Sequence, residues 1–359
     1  MTHRLSREQA RRIVVRAQLL DADRPGDVVE VAEQLGYIKI DPTAVIATCE
    51  HTVLWSRIGW SYEPGQLKKA VEIDRLLFEF QGAFHPMSLL PLLRPAMRRH
   101  PERESSRQWL EANAAFRSDV LARLRAEGPL TSREIPDTAS VARTPDGWSG
   151  SNQVPLMLDL LARRGEVAVT RREGRTRVWD LAERVYPRDL MDLDDDTAAR
   201  ELETRRLKAA GLARERSVWT RVGKAGEPAE VEGSSWKWRV DPDALEAAHV
   251  DVDGRVALLN PYDSVLFDRQ RLAEMFDFDY VLEQFKPKAR RRYGFFAHPI
   301  LMGDRFVGML DAKVDRDRDL LRVNAVHGFL PFEPEETDMI RAEVNDLAEW
   351  LGARVTGVE

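Results

Sequence analysis

Apolar positions near the start of the chain recur with the spacing of amphipathic helices. Ser6 and Gln9 have the Ser-x-x-Gln spacing of a capping box, which predicts a helix that begins close to Ser6 and continues to Leu20. A second apolar stripe covers Val28–Leu35, and Gly36 is placed to end that helix in a left-handed conformation. Two helices followed by a short strand are a common opening of winged-helix modules.

The pattern changes to strict alternation of apolar and charged residues at positions 37–42. Alternation of this kind predicts a short strand from which Lys39 and Asp41 project on the same face. Side chains two residues apart in a strand are separated by about 6.6 Å, so the two groups can pair with each other or face a ligand together. The pair is therefore either an exposed ion pair or a functional site.

Helical periodicity returns further along the chain. It predicts a helix over 66–80 and a second module that opens with a helix over 109–127. A short capped helix over 130–135 and a third helix over 151–164 follow, because Pro155 is tolerated in the first turn of a helix.

Two short alternating segments, 166–170 and 176–180, are predicted to pair as a β-hairpin with its turn at Glu173 and Gly174. In a winged-helix module this hairpin is the wing. Arginines crowd around its tip, and phosphate contact is the expected role of such a group. These arginines are Arg171, Arg172, Arg175 and Arg177.

The last third of the chain changes character. An acidic stretch at 193–197 is predicted to be a linker to a third helical unit, and short strands and turns begin at Val256. Gly303 and Asp304 indicate a hairpin, and an acidic helix is predicted over 334–351. The predicted fold is mainly α (α+β), with tandem winged-helix modules and a β-rich C-terminal domain. The predicted domain boundaries are 1–105, 106–190, 191–250 and 251–359.

Composition narrows the class of protein. The chain has 359 residues, 43% of them hydrophobic and 32% charged, as in ordinary soluble proteins. No apolar run approaches the roughly 20 residues of a membrane span, and the first 20 residues carry arginines rather than a signal-peptide core, which predicts a cytoplasmic protein. Cys49 is the single cysteine, so an internal disulfide is excluded and neither a metal site nor a cofactor is predicted.

The net charge and the distribution of charge lead to opposite predictions about nucleic-acid binding. The net charge is −6, whereas proteins that neutralise phosphates are usually basic. Basic residues are nevertheless clustered, so a basic face remains possible. Besides the wing, a second cluster contains Lys286, Lys288, Arg290, Arg291 and Arg292, which are interpreted either as a DNA contact or as a solvated surface.

Several separated blocks of the sequence together resemble the bacterial winged-helix DNA glycosylase family of the AlkZ and YcaQ type. The resemblance extends over nearly the whole chain. The blocks are SREQA (6–10), IDPTAV (40–45), VLWSRIG (53–59), LTSRE (130–134), GEVAV (165–169), WDLAERV (179–185), LNPYDS (259–264), FDR (267–269) and RRYG (291–294) with PI (299–300).

The resemblance implies a fold, a partner and a catalytic position. The family is built from tandem winged-helix units with a β-rich C-terminal domain, and it acts on damaged double-stranded DNA. Its catalytic pair lies in a Gln-x-Asp or Gln-x-Gln motif that aligns with Lys39 and Asp41. Asp41 matches the second position, whereas Lys39 stands where the family has a glutamine.

The chemistry of base removal suits a carboxylate at position 41. Hydrolysis of an N-glycosidic bond builds positive charge on the sugar, which Asp41 can stabilise while it orients water. Lys39 suggests a Schiff-base nucleophile and lyase activity, but a neighbouring carboxylate favours the charged ammonium and disfavours this role. His51 and His85 are candidate residues to line the site, although a lone histidine more often has a packing role.

Two other functions remain open at this point. The chain can be a non-catalytic winged-helix DNA-binding protein, such as a regulator or lesion sensor, because Lys39 replaces the glutamine of the family. It can also be a protein-interaction scaffold, in which case affinity for DNA would not fall steeply with salt.

Overall fold

A computed structural model describes residues 1–143, 152–252 and 254–357, and the chain forms two compact units. The first unit contains Met1–Pro64 and Leu202–Glu359, and the second contains Gly65–Glu201. The boundary between the two units, at Pro64, lies inside the first predicted module, which covers 1–105. The division into four modules stays a prediction. Within the described ranges, no helix is long and apolar enough to cross a membrane.

The N-terminal part of the first unit follows the predicted helical pattern. Both halves of the capping box at Ser6 form, with the hydroxyl of Ser6 accepting from the N–H of Gln9 at 3.1 Å. Gly36 ends its helix with φ at +75°, a conformation that glycine adopts without steric cost. The elements are β1 His3–Leu5, α1 Arg7–Ala17, α2 Val28–Leu35, β2 Ile38–Lys39 and α3 Cys49–Ile58.

The second unit contains the predicted hairpin and most of the predicted helices. Strands β6 and β7 pair around Gly174, and β7 also pairs with β5, which confirms the hairpin. The elements are α4 Pro64–Glu72, β3 Leu77–Phe80, β4 Ala83–Pro86, α5 Leu90–Arg99, α6 Glu104–Ala112, α7 Ala114–Glu127, β5 Leu130–Thr131, α8 Val154–Arg163, β6 Val167–Glu173, β7 Thr176–Leu181, α9 Ala182–Val185 and α10 Asp195–Ala210, which continues into the first unit.

Two predictions in the second unit were wrong in part, and a third begins outside the described residues. The helix over 66–80 ends at Glu72, and the chain then forms β3, which pairs with β4 and buries its aromatic side chains. The helix over 109–127 is interrupted at Asn113, whose side-chain amide donates to the carbonyl of Trp109 at 2.9 Å. Ser151, the first residue of the helix predicted over 151–164, lies outside the described residues.

The short helix predicted over 130–135 was also wrong. Leu130 pairs with Trp179 in the sheet, so the segment begins as a strand. The hydroxyl and the backbone N–H of Thr131 then donate to the carboxylate of Glu134 at 2.8 and 2.7 Å. The threonine and glutamate that resemble a helix cap therefore close a turn instead, since pairing with β7 already uses the backbone of the first two residues.

The C-terminal part of the first unit is rich in strands, as predicted. One sheet has the order β1-β9-β10-β8 and another the order β11-β12-β13-β14-β15. The predicted turn at Gly303 joins β12 to β13, and the acidic C-terminal helix is present. The elements are β8 Leu212–Arg214, β9 Glu227–Val231, β10 Trp238–Val240, β11 Val256–Leu258, α11 Arg269–Phe276, β12 His298–Met302, β13 Arg305–Asp315, β14 Leu320–Gly328, α12 Pro334–Trp350 and β15 Arg354–Gly357.

One hydrophobic core contains side chains from both the N-terminal and the C-terminal segment of the first unit. Ile13 and Val14 of α1 belong to the same buried cluster as Trp238, Leu272 and Leu301. Strand β1 also pairs with β9 in parallel, so the N-terminal segment is built into a sheet formed by residues more than 200 positions away. The described chain is thus an α+β protein in which the segment around Asp41 shares a unit with the C-terminal strands.

Candidate active site and nucleic-acid interface

The strand that carries Lys39 is shorter than the alternating pattern suggested. Strand β2 ends at Lys39, and Asp41 lies in the irregular segment that follows. The backbone N–H of Thr43 donates to Oδ1 of Asp41 at 2.9 Å, which forms an Asx turn around Pro42. Asp41 is half-buried and is held by this turn. The two charged side chains are therefore not placed on one face by a regular strand, as the sequence predicted.

A second carboxylate lies beside Asp41, and the sequence did not single it out. Glu50 is in the first turn of α3, where the helix dipole favours negative charge. Its Oε2 atom accepts from the backbone N–H of Asp41 at 3.4 Å, while Oε1 accepts from the hydroxyl of Thr48 at 2.7 Å. Nothing in the local sequence singles it out, because one glutamate within a segment of mixed apolar and polar residues is common.

Tyr262 brings the C-terminal part of the first unit close to Asp41, because its carbonyl accepts from Sγ of Cys49 at 3.8 Å and the N–H of Cys49 donates to the carbonyl of Asp41 at 3.4 Å. Its hydroxyl donates to Oε1 of Gln284 at 3.1 Å. Burial raises the pKa of Tyr262, and the negative charge of Asp41 adds to this effect because it opposes formation of a phenolate. The tyrosine therefore keeps its proton and remains a hydrogen-bond donor near Asp41.

Cys49 is a buried thiol at the beginning of α3. Burial raises its pKa, and the carboxylates of Asp263, Glu50 and Asp41 act in the same direction. A nucleophilic cysteine needs a lowered pKa, so this thiol has the character of an inert core group.

The two candidate histidines occupy different units. Nδ1 of His51 shares a 2.6 Å hydrogen bond with the hydroxyl of Tyr62, whose ring stacks on Trp350 at 6.0 Å. Burial lowers the pKa of His51, and Glu50 opposes this effect, so its ring is neutral at neutral pH. His85 lies on β4, where its ring contacts Phe78 at 5.7 Å. A role for either histidine in lining a site stays a prediction.

Carboxylates already engage three of the four arginines of the β6–β7 hairpin. Arg172 forms two bonds of 2.7 Å with Glu79, Arg177 donates to Asp159 at 2.9 Å, and Arg171 donates to Glu173 at 2.8 Å. Arg175, next to Gly174 at the tip, is exposed, and its guanidinium has no ion-pair partner among the described residues. Among the described residues, this hairpin therefore presents one uncompensated cation rather than four.

The second basic cluster is a loop whose ends are held by one buried carboxylate. Glu283 accepts from Lys286 at 3.0 Å and from the backbone N–H groups of Arg292 and Tyr293 at 2.7 and 2.8 Å. Burial alone would raise the pKa of Glu283, but these hydrogen bonds hold it below its ordinary value. The exposed cations of this loop are Lys288, Arg290 and Arg292, whereas Arg291 is half-buried and packs over Phe295 at 5.0 Å.

A fully buried ion pair fixes α3 against the segment that carries Tyr262. The guanidinium of Arg57 is bound to both carboxylate oxygens of Asp263, one of them at 3.0 Å. Arg57 also donates to the carbonyl of Gln18 at 3.2 Å and to the hydroxyl of Ser56 at 3.0 Å. Glu50 lies on α3, and Tyr262 directly precedes Asp263. The ion pair between Arg57 and Asp263 therefore helps to fix the position of Tyr262 relative to Asp41 and Glu50.

Comparison with known proteins agrees with the resemblance seen in the sequence. A family model described as AlkZ-like DNA glycosylase matches residues 32–350. Among solved structures, the Streptomyces sahachiroi DNA glycosylase AlkZ is similar in fold, with a TM-score of 0.65 and 18% sequence identity over 100% of both chains.

Proposed function

The chain belongs to the AlkZ-like DNA glycosylase family, and we propose that it hydrolyses the N-glycosidic bond of an alkylated or crosslinked base in duplex DNA. The observation that carries this proposal is the position of Asp41. Its carboxylate matches the second position of the catalytic motif, is held by the Asx turn to Thr43, and lies in the unit that carries the basic loop.

The proposed reaction needs a carboxylate and a water. The bond between C1′ of the sugar and the base nitrogen breaks, and the base leaves with the electron pair, which neutralises the positive charge that alkylation had given it. Asp41 stabilises the cationic sugar and orients the water that adds to C1′. The proton lost by this water passes to Asp41 and then to solvent.

Neighbouring groups support this role for Asp41. Glu50 accepts from the backbone N–H of Asp41, and Tyr262 offers a hydroxyl in the field of its charge. The carboxylate of Glu50 adds to the negative potential that favours a sugar cation. We assign Asp41 the catalytic role and Glu50 a positioning role.

Base release tests the proposal directly. Duplex DNA with a single N7-alkylguanine is incubated with the protein, and the free base is quantified against a sample without protein, because this lesion also depurinates spontaneously. We expect release well above the spontaneous rate from duplex DNA. Release no faster than in the absence of protein would refute the proposed hydrolysis.

A second candidate function rests on Lys39. A lysine stands where the family has a glutamine, so a non-catalytic DNA-binding protein, such as a lesion sensor, is the alternative. If the protein is a hydrolase, Lys39→Gln should leave base release within about tenfold of the wild-type rate. Activity that appears only in Lys39→Gln would support the alternative, and trapping of a covalent DNA adduct by borohydride with wild type would instead indicate a Schiff base on Lys39.

We further propose that the β6–β7 hairpin of the second unit and the loop with Lys288, Arg290 and Arg292 of the first unit each contact DNA phosphates. Their exposure supports this role, since exposed cations can release counterions from DNA. The tandem winged-helix organisation, with β6 and β7 as a wing, belongs to the same proposal.

Two arginines of the wing offer a matched test of this interface. Arg175→Ala should lower the slope of log affinity against log salt by about 1 without changing the melting temperature. Arg172→Ala should act mainly on stability, by about 1–3 kcal/mol, because Glu79, whose side chain is 3% exposed, loses its partner. Fluorescence anisotropy with a labelled duplex at several salt concentrations measures the slope, and an unchanged slope in Arg175→Ala would remove the wing tip from the interface.

A further inference from the structure

A tight turn in the basic loop places two neighbouring side chains in different environments. The backbone N–H of Lys286 donates to the carbonyl of Glu283 at 2.9 Å, so Gln284 and Phe285 occupy the two central positions of a β-turn. Gln284 accepts the hydrogen bond from Tyr262. The carbonyl of Tyr262 in turn accepts from Sγ of Cys49 at 3.8 Å, and the backbone N–H of Cys49 donates to the carbonyl of Asp41 at 3.4 Å, so the turn lies near Asp41. Phe285, the next residue, has 80% of its surface exposed.

The turn is held in place by more than its own backbone bond. The carboxylate of Glu283 binds Lys286 and the backbone of Arg292 and Tyr293, so the loop is closed at its base by one buried side chain. An aromatic ring at the apex of such a loop loses little further conformational freedom when it binds a partner. The ring of Phe285 is thus exposed on a loop that is already ordered before a partner binds.

The charges near Phe285 indicate the kind of partner that covers it. Lys288, Arg290 and Arg292 follow the turn and are exposed, so the ring stands in a positively charged surface. Exposed aromatic rings among cations suit nucleic acid, because cations bind the phosphates while the ring stacks on bases. A purely apolar protein partner would leave these charges unpaired.

We propose that Phe285 is a wedge that enters the base stack of duplex DNA beside the nucleotide held at Asp41. Stacking against the ring replaces the base contacts that are lost where the duplex opens. The hydrogen bond between Tyr262 and Gln284 keeps this opening close to the carboxylate of Asp41. Phe285 is a positioning residue for the target nucleotide and does not touch the reacting atoms. This inference rests on the proposed function, but its central claim concerns DNA geometry and can be measured without catalysis.

The test uses the full-length protein and a duplex that contains 2-aminopurine next to a stable abasic-site analogue. Fluorescence of 2-aminopurine rises when it is unstacked. Wild type should raise the fluorescence at saturation, and Phe285→Ala should lose most of this rise, with an affinity about threefold to tenfold weaker. Phe285→Trp, which keeps a large ring, should retain it. Trp219→Ala is the control, since Trp219 is also an exposed aromatic residue of the first unit, with 64% of its surface exposed, but lies outside the loop.

Catalytic measurements add a second readout. Under single turnover, Phe285→Ala should release N7-alkylguanine at least about tenfold more slowly than wild type from duplex DNA, yet at a similar rate from a single strand, where no stack must be opened. The salt slope of binding should not change, because the cations remain.

The outcomes separate the two proposals. Equal fluorescence at saturation with Phe285→Ala and wild type would overturn the wedge, whether or not base release is observed. A rise that depends on Phe285, in a protein that releases no base, would refute hydrolysis and leave the wedge standing. An equal loss in Trp219→Ala would overturn the assignment to the loop.

Discussion

Asp41→Asn is expected to slow base release from duplex DNA by about two to four orders of magnitude. Asparagine has nearly the same shape as aspartate, and its carbonyl oxygen can still accept from the N–H of Thr43, so the Asx turn should persist. The variant removes the negative charge that stabilises the sugar cation and the group that takes a proton from water. Single-turnover release of N7-alkylguanine, with DNA fully bound, isolates this loss from any change in affinity.

Two further variants show whether the effect belongs to the site. Asp338→Asn removes an exposed carboxylate from α12 and should leave the rate unchanged. Glu50→Gln should have an intermediate effect, because Glu50 acts through the backbone of Asp41 and through the local potential. If Asp41→Asn and wild type release the base at equal rates, Asp41 has no catalytic role.

The second large effect concerns stability. Replacement of Arg57 by methionine should lower the free energy of unfolding by about 3–5 kcal/mol, because it leaves Asp263 buried without its counter-charge. Both side chains have 0% exposure, so water cannot replace the lost partner. Chemical denaturation at fixed salt measures the loss.

A double variant distinguishes the ion pair from simple packing. Arg57→Met combined with Asp263→Asn removes both charges and keeps an oxygen that can accept from the backbone N–H of Val265, as Asp263 does at 3.1 Å. We expect this double variant to be more stable than Arg57→Met alone, since no uncompensated charge remains buried. A double variant that is as unstable as the sum of the two single variants would show that the groups do not act as a pair.

Short-range patterns predicted the elements whose determinants lie within a few residues. The capping box at Ser6, the left-handed cap at Gly36 and the hairpin turns at Gly174 and Gly303 all form as expected. Each depends on local backbone geometry and on hydrogen bonds within one turn, which neighbouring residues specify. The acidic C-terminal helix follows the same logic.

Local patterns misled where distant residues compete for the same backbone. The segment over 130–135 has the composition of a capped helix, but Leu130 pairs with Trp179 in a sheet. In that segment, hydrogen bonding with a partner far along the chain overrides propensity. The miss at Lys39 has a local cause instead, because the strand stops there and the carboxylate of Asp41 accepts from the N–H of Thr43, two residues away, to form a turn.

The sequence by itself determined the family, the position of the candidate carboxylate and the location of the basic clusters. Only the tertiary structure decided which of those charges are available, because Glu79 on β3 and Asp159 on α8 neutralise Arg172 and Arg177 of the hairpin. It also placed Glu50, nine residues away in sequence, beside Asp41, and it brought Tyr262 to the same segment through a contact with Cys49 that joins residues 213 positions apart. Charge along a chain is a local property, whereas pairing and exposure depend on which surfaces folding brings together.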